Sequence, residues 1–257
     1  GRLDALEAFA LGLTRRRMVR LLDVRLASGG IVEGARLLDL MDEIGLPEDC
    51  VDLGLPFVAV AADIENGREV WLDYGPLRDA IRASVALPGV ISPYQVEGRW
   101  LIDGGVTNPV PVSAARAHGA EITIAVNPNA RLDGMFWRPE QAITAPAASR
   151  FLEWVLARDL PGPFTRIRAL LARGRAEDED EEEPRPQYLD VVSTTIDIMT
   201  EQIRRSRLAG EPPHLLLNAR LSGLSVLDFH KAEAAIAEGR RMVERHADWI
   251  RDLASRS

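Results

Sequence analysis

The sequence contains a single cysteine, Cys50, among its 257 residues. One thiol cannot form an internal disulfide, and it cannot supply the several thiolates of a structural zinc site. This cysteine usage is typical of a reducing compartment, which predicts a cytoplasmic protein. The sequence also lacks any apolar run near the roughly 18 to 20 residues that a transmembrane helix needs. We therefore expect no membrane-spanning segment in these residues.

An excess of positive charge is missing as well. The 39 acidic and 31 basic residues give a formal net charge of −8, but seven of the acids form one run, 177–183, which leaves 32 acids against 31 bases. Such a near-neutral body offers no basic surface for nucleic acid. The run lacks the glycine and the twelve-residue frame of a calcium loop, so it predicts a solvated, disordered linker over 176–187 and no metal site.

The sequence does contain short apolar strands that alternate with helices, which predicts an α/β fold. Strands are predicted at 57–63, 69–73, 100–103, 121–127 and 215–217, and helices at 3–13, 37–44, 77–85, 112–118, 189–203 and 229–250. This rhythm favours a parallel or mixed sheet covered on both faces, with the first and fourth strands buried on both sides. Residues 130–187 interrupt it and are predicted to be an insertion in a single domain, 1–257.

Asp103 is the most informative polar position. It ends a short strand and is followed by Gly104 and Gly105, and then by Asn108 between the glycines and the next helix. A carboxylate at the carboxyl end of a strand lies where α/β folds place their ligand sites. The alternative is an aspartate that caps a tight turn, because Asp-Gly is a common turn signal.

The wider pattern favours the first interpretation. In order and spacing, the segments 55–63, 66–70, 75–77, 81–84, 87–90, 101–105 and 108–111 resemble the bacterial patatin-like phospholipase family. The later segments 196–199, 204–207 and 228–239 resemble the C-terminal helices of that family. The resemblance covers nearly the whole chain outside 130–187.

The resemblance implies a three-layer α/β/α sandwich and a serine lipid acyl hydrolase. Such an enzyme cleaves acyl esters of phospholipids or lysophospholipids with a Ser-Asp dyad, and it needs no metal or organic cofactor. Asp103 corresponds to the aspartate of the family's Asp-Gly-Gly motif and would be the general base. Gly104 and Gly105 would shape the wall of the site, and Asn108 would orient the loop. A lipid substrate also implies transient contact with a membrane surface, peripheral to the inner membrane.

The sequence departs from the family at the nucleophile. The Gly-x-Ser-x-Gly elbow is absent, as is the glycine-rich loop that would form the oxyanion hole. Ser225 lacks the second glycine of the elbow, and Ser84 is predicted to serve a helix end. In the family these parts precede the segment that resembles residues 1–9, so we expect a further strand-helix block before Gly1. The alternative is a catalytically dead module of the same fold that binds lipid or protein.

Other candidate residues carry less information. The four histidines, His118, His214, His230 and His246, have no metal-ligand spacing and are predicted to be structural or exposed. The arginines at 15–17 lie beside apolar residues in a small basic amphipathic patch. This patch would either meet lipid headgroups or solvate a helix face.

Overall fold

The computed structural model describes residues 3–14, 17, 34, 38, 45–130, 134–136, 188–221, 224 and 228–256. Several predicted segments lie wholly or mostly outside these residues. They are the insertion at 130–187 apart from residues 130 and 134–136, its linker 176–187, most of the helix at 37–44, two of the three arginines at 15–17, and Ser225. Contacts divide the chain into two units. The first comprises Gly1–Ala130, Met199–Leu224 and Phe229–Ser257, and the second comprises Arg131–Ile198 and Ser225–Asp228.

The described helices lie where the sequence pattern predicts helices, although their bounds differ at the C-terminus. They are α1 (Leu3–Leu11), α2 (Leu77–Ser84), α3 (Val112–Ala117), α4 (Tyr188–Gly210), α5 (Ala232–Arg245) and α6 (Ala247–Ala254). Within the described ranges, none combines the length and apolarity that crossing a bilayer requires. All six strands of the described residues, and the candidate site described below, belong to the first unit.

Four strands form an antiparallel sheet. They are β1 (Ala59–Asp63), β2 (Glu69–Leu72), β3 (Tyr94–Val96) and β4 (Arg99–Asp103), in the order β2-β1-β4-β3. Residues 64–68 connect β1 to β2, and a connection this short permits only an antiparallel pair. The sheet therefore places β1 between the edge strand β2 and the strand that ends at Asp103.

Two further strands, β5 (Ile124–Asn127) and β6 (Leu215–Asn218), pair in parallel. The mixture of helices and open sheets confirms the predicted α/β class. In the described residues, however, the parallel or mixed sheet expected from the sequence is divided into one antiparallel and one parallel sheet.

The core of the antiparallel sheet lies between β1 and α2. All five residues of β1 are buried, as predicted. The helix α2 follows Pro76 and presents Leu77, Ala80 and Ala83 on the side that packs against the sheet. At its last residue the Ser84 hydroxyl donates a hydrogen bond of 2.8 Å to the carbonyl oxygen of Val60. This bond and the apolar contacts fix α2 against the centre of β1.

The prediction that β5 is buried on both faces is wrong. Ile124 is 44% exposed and Val126 is 52% exposed, whereas Ala125 and Asn127 are buried. In the described part of the chain only β6 pairs with β5, and one face of the strand stays open. A continuous apolar run does not by itself show whether both faces of a strand are covered.

The single C-terminal helix predicted at 229–250 is also wrong. A short 3₁₀ turn, Phe229–Lys231, precedes α5, and the backbone leaves helical geometry at His246 before α6 begins. This break turns α6 so that its Leu253 joins Met242 of α5 in a cluster with Leu215 and Leu217 of β6. The apolar spacing survives the break, and for that reason the sequence pattern did not reveal it.

His118, just after α3, connects this helix to the end of β2. Its Nε2 lies 2.8 Å from Asp73 Oδ2, and its Nδ1 lies 2.8 Å from the carbonyl oxygen of Ala114. Both ring nitrogens face oxygen acceptors, so both bonds form together only when the imidazole is protonated. The hydrogen bond to Asp73, and then that to Ala114, raises the pKa of His118.

We expect this pair to make stability depend on pH. Because the pKa is higher in the folded than in the unfolded protein, the stabilisation is complete below the ordinary histidine pKa, near 6.5, and is lost as pH rises through the raised pKa. Both side chains are partly exposed, so the effect is at most about 1 kcal/mol. Urea denaturation should show that His118→Gln is destabilised at pH 5.5 and nearly unchanged at pH 9. Asp73→Asn should remove the same pH dependence, and a constant difference across pH would contradict the assignment.

Candidate functional site

Asp103 ends β4 in the middle of the antiparallel sheet. It lies opposite Ala61 in the register of β1 and β4, and its backbone N–H donates to the carbonyl oxygen of Ala86 at 3.0 Å. The side chain then caps the 3₁₀ turn Gly104–Val106, because Oδ1 accepts the Gly105 N–H at 2.6 Å. Asp103 therefore caps a turn at the end of a strand, as one interpretation from the sequence holds, and its role in a ligand site stays a prediction.

The two oxygens of Asp103 have different surroundings. Oδ1 is held by the Gly105 amide, whereas Oδ2 accepts no hydrogen bond in the described part of the chain and is not a fully buried atom. Burial raises the pKa of Asp103, and the Gly105 hydrogen bond opposes this rise only in part. One oxygen is anchored and the other is available to accept a proton from a neighbouring group.

The glycines after Asp103 are required by close approach. A Cβ at Gly104 would overlap the carbonyl group of Val60, so β1 lies directly against the turn. A Cβ at Gly105 would lie 2.8 Å from Asp103 Oδ1, so its absence leaves room for the carboxylate. Neither glycine has a positive φ. Gly104 thus serves the packing of the loop, and Gly105 lies at the carboxylate itself.

Asn108 lies at the end of the same loop and is only 3% exposed. Its N–H donates to the Gly104 carbonyl oxygen at 2.8 Å. Its Nδ2 donates to Glu69 Oε1 at 2.8 Å and to Ser113 Oγ at 2.9 Å. The side chain therefore ties the loop to β2 on one side and to α3 on the other.

Glu69 was not predicted from the sequence to be a site residue. In the sequence it is one polar residue in an alternating strand, and it belongs to no catalytic motif. In the structure its carboxylate accepts hydrogen bonds from three donors, Trp71 Nε1 at 2.6 Å, Asn108 Nδ2 at 2.8 Å and Arg207 Nη2 at 3.1 Å. Its link to Arg207 spans 138 positions, and no local pattern could have revealed that link.

The other candidates take no part in this arrangement. The Ser84 hydroxyl, at the last residue of α2, donates to the carbonyl oxygen of Val60 in β1. Arg17 is exposed, and its guanidinium lies 4.9 Å from the centre of the Phe9 ring. Among the described residues, no group of three or more histidine, cysteine or carboxylate side chains is placed to hold a metal ion.

A cleft of about 630 Å³ opens elsewhere in the first unit. Residues 46–49 line one side of it, and Pro76 and Arg78 at the start of α2 line the other. Asp103 and Asn108 are not among its lining residues. The cleft is therefore separate from the arrangement around Asp103.

Comparison with known proteins identifies the family of this chain. A family model described as patatin-like phospholipase matches residues 12–116, which include Asp103. An uncharacterized NTE family protein of Mycobacterium tuberculosis (strain H37Rv) is 35% identical over 275 aligned positions, covering 94% of this chain and 76% of that protein. An uncharacterized NTE family protein of Mycobacterium bovis matches with the same values. Patatin-like phospholipase domain-containing protein 7 of the mouse is 31% identical over 126 positions, or 48% of this chain and 9% of that protein.

Proposed function

The chain belongs to the patatin-like phospholipase family, and from this premise we propose that it is a lipid acyl hydrolase with Asp103 as the general base of a Ser-Asp dyad. Its substrates are acyl esters of phospholipids or lysophospholipids. The observation that carries the assignment is the Asp103 carboxylate, with Oδ1 fixed by Gly105 and Oδ2 open.

The proposed chemistry follows from these two oxygens. Oδ2 accepts the proton of a serine hydroxyl while the serine oxygen attacks the carbonyl carbon of the ester. The protonated carboxyl then donates this proton to the departing alkoxide, which leaves an acyl-enzyme. In the second half, Oδ2 takes a proton from the water that attacks the acyl-enzyme and returns it to the serine oxygen as the bond to the acyl group breaks, which releases the fatty acid and restores the free serine and the carboxylate. Burial suits this role, because a raised pKa makes a carboxylate a stronger base.

We assign the nucleophile to a serine outside these 257 residues. None of the serines in the sequence stands in a Gly-x-Ser-x-Gly elbow. The hydroxyl of Ser84 donates to the Val60 carbonyl and not to Asp103. Ser84 therefore has a structural role that leaves its proton unavailable to the base.

Fluorophosphonate labelling of the full-length protein tests this proposal. We expect one labelled serine, within a Gly-x-Ser-x-Gly sequence, and release of fatty acid from phospholipid or lysophospholipid vesicles that the label abolishes. Labelling at Ser84 would contradict the assignment of the nucleophile. If the folded, full-length protein is neither labelled nor active on these esters, the alternative holds: a catalytically dead binding module of the same fold. The observation behind this alternative is that the 257 residues contain no Gly-x-Ser-x-Gly elbow.

The substrate class brings the protein to membrane surfaces. Outside the run 177–183 the acidic and basic residues nearly balance, so we propose transient contact that is not held by charge. The only cysteine, Cys50, is free and buried. This agrees with the reducing cytoplasm that we propose as the location, at the periphery of the inner membrane.

A further inference from the structure

We propose that Glu69 is a positioning residue that sets the place and the protonation of Asp103 through Asn108. The proposal rests on the proposed function, in which Asp103 is the base. Glu69 and Asp103 lie on strands that are not neighbours, because β1 separates β2 from β4. The hydrogen bond from Asn108 to Glu69 therefore passes across β1 and ties the loop after Asp103 to the edge strand.

Glu69 is well suited to hold that bond in one geometry. Its side chain is only 14% exposed. Oε1 accepts from Asn108 and from the indole of Trp71, while Oε2 accepts from the guanidinium of Arg207 in α4. A carboxylate fixed on both oxygens has little freedom to rotate, and hydrogen bonds to a charged group are stronger than those between neutral groups.

The bond to Asn108 reaches Asp103 through a short rigid turn. The carbonyl oxygen of Gly104 accepts three hydrogen bonds, from the N–H of Asn108 at 2.8 Å, the N–H of Thr107 at 3.0 Å and the hydroxyl of Thr107 at 3.1 Å. The next residue, Gly105, donates its N–H to Asp103 Oδ1. When Asn108 is fixed by Glu69, the turn that presents the Gly105 amide to Asp103 is fixed with it.

Loss of the Glu69 bond should therefore change the base itself. A looser loop lets water approach Asp103, which lowers its pKa, and it weakens the Gly105 hydrogen bond, which raises it. Burial is the larger of these two influences, so we expect the pKa of Asp103 to move back toward its ordinary, lower value. Hydrolysis needs the ionised carboxylate, so kcat/KM of the unmodified enzyme rises with pH through the Asp103 pKa. In a Glu69 variant this acidic limb should move to lower pH. A residue that contributes only to stability would leave the limb unchanged.

The experiment compares Glu69→Ala and Glu69→Gln in the full-length protein. We expect Glu69→Ala to lower kcat about tenfold while KM changes less than about twofold, because a small displacement of the base affects the chemical step. We also expect its acidic limb to move down and hydrogen exchange at residues 104–108 to become faster. Glu69→Gln keeps an oxygen that can accept from Asn108, so it should restore most of the kcat and should fold even if the alanine variant does not.

Glu238→Gln is the matched control. The Glu238 carboxylate is also buried and accepts hydrogen bonds from two arginines and the Arg220 N–H, but it lies in α5, away from the loop. This variant should lose stability and keep its kcat and acidic limb. If both Glu69 variants retain the limb and the exchange of the unmodified enzyme, the proposal is overturned. If the unmodified enzyme hydrolyses no ester, the proposed function fails separately, and the exchange at 104–108 still tests whether Glu69 positions the loop.

Discussion

Replacing Asp103 with asparagine is expected to lower kcat/KM for ester hydrolysis about a thousandfold, within the range that a positioned general base contributes. Asparagine has nearly the same size and keeps an oxygen that can accept the Gly105 N–H. It cannot take a proton from the nucleophile. The loss should appear mainly in kcat, because the carboxylate acts on the reacting atoms and not on the lipid chain.

The same variant should be at least as stable as the unmodified protein at neutral pH. Burial raises the pKa of Asp103, so its ionised form costs the folded state free energy above the ordinary aspartate pKa. Asparagine removes that charge. A gain in stability together with a loss of activity is expected where a strained group serves catalysis.

Asp63→Asn provides the control for this prediction. Asp63 is buried at the end of the adjacent strand β1, where its oxygens accept from the Glu65 N–H and the Asn66 side chain. Its replacement should keep kcat/KM within a few fold and reduce stability by about 1 kcal/mol, because one hydrogen bond is lost. Activity and urea denaturation are measured on both variants. An Asp103→Asn enzyme with full activity, or an equal loss in both variants, would remove Asp103 from the mechanism.

The part of the site that could be predicted from the sequence is the part that is local. Four residues of the predicted site lie within six positions: Asp103, Gly104, Gly105 and Asn108. Over this short stretch the sequence indicates the strand, the turn and the family motif. The α/β class followed from the alternation of apolar runs. The predicted roles of the glycines and of Asn108 remain predictions, although the structure gives each a definite contact.

The rest depends on strand order and on pairs distant in sequence. Glu69 reaches Asn108 only because β1 lies between β2 and β4, and it reaches Arg207 only because α4 packs nearby. The strand β3 was not predicted from the sequence. In the structure Glu97 and Gly98, with φ values of 49° and 81°, form the tight hairpin turn that joins β3 to β4. Such turns favour Asn-Gly or Asp-Gly, so a glutamate at the first position gave a weak signal.

Alanine substitutions at the two glycines are expected to separate folding from activity. At Gly104 the added Cβ would overlap the Val60 carbonyl, which belongs to the buried strand β1. Neither backbone can move without disturbing the sheet, so we expect a loss of about 3 kcal/mol. At Gly105 the Cβ would meet the Asp103 carboxylate at 2.8 Å. A side chain can rotate away, so the cost in stability should be only about 1 kcal/mol, while displacement of the base should lower kcat at least tenfold.

Gly54→Ala completes the comparison, because its Cβ would meet no atom within 4 Å and its φ is not positive. This variant should stay within about 0.5 kcal/mol of the unmodified protein and keep full activity. The free energy of unfolding from urea titration and kcat on a soluble ester are measured for all three variants. If Gly105→Ala unfolds the protein as severely as Gly104→Ala, or leaves kcat unchanged, the carboxylate does not occupy the catalytic position assigned to it. A loss of kcat at Gly105→Ala with only a small loss of stability therefore tests the position of the base without changing the chemical identity of the base.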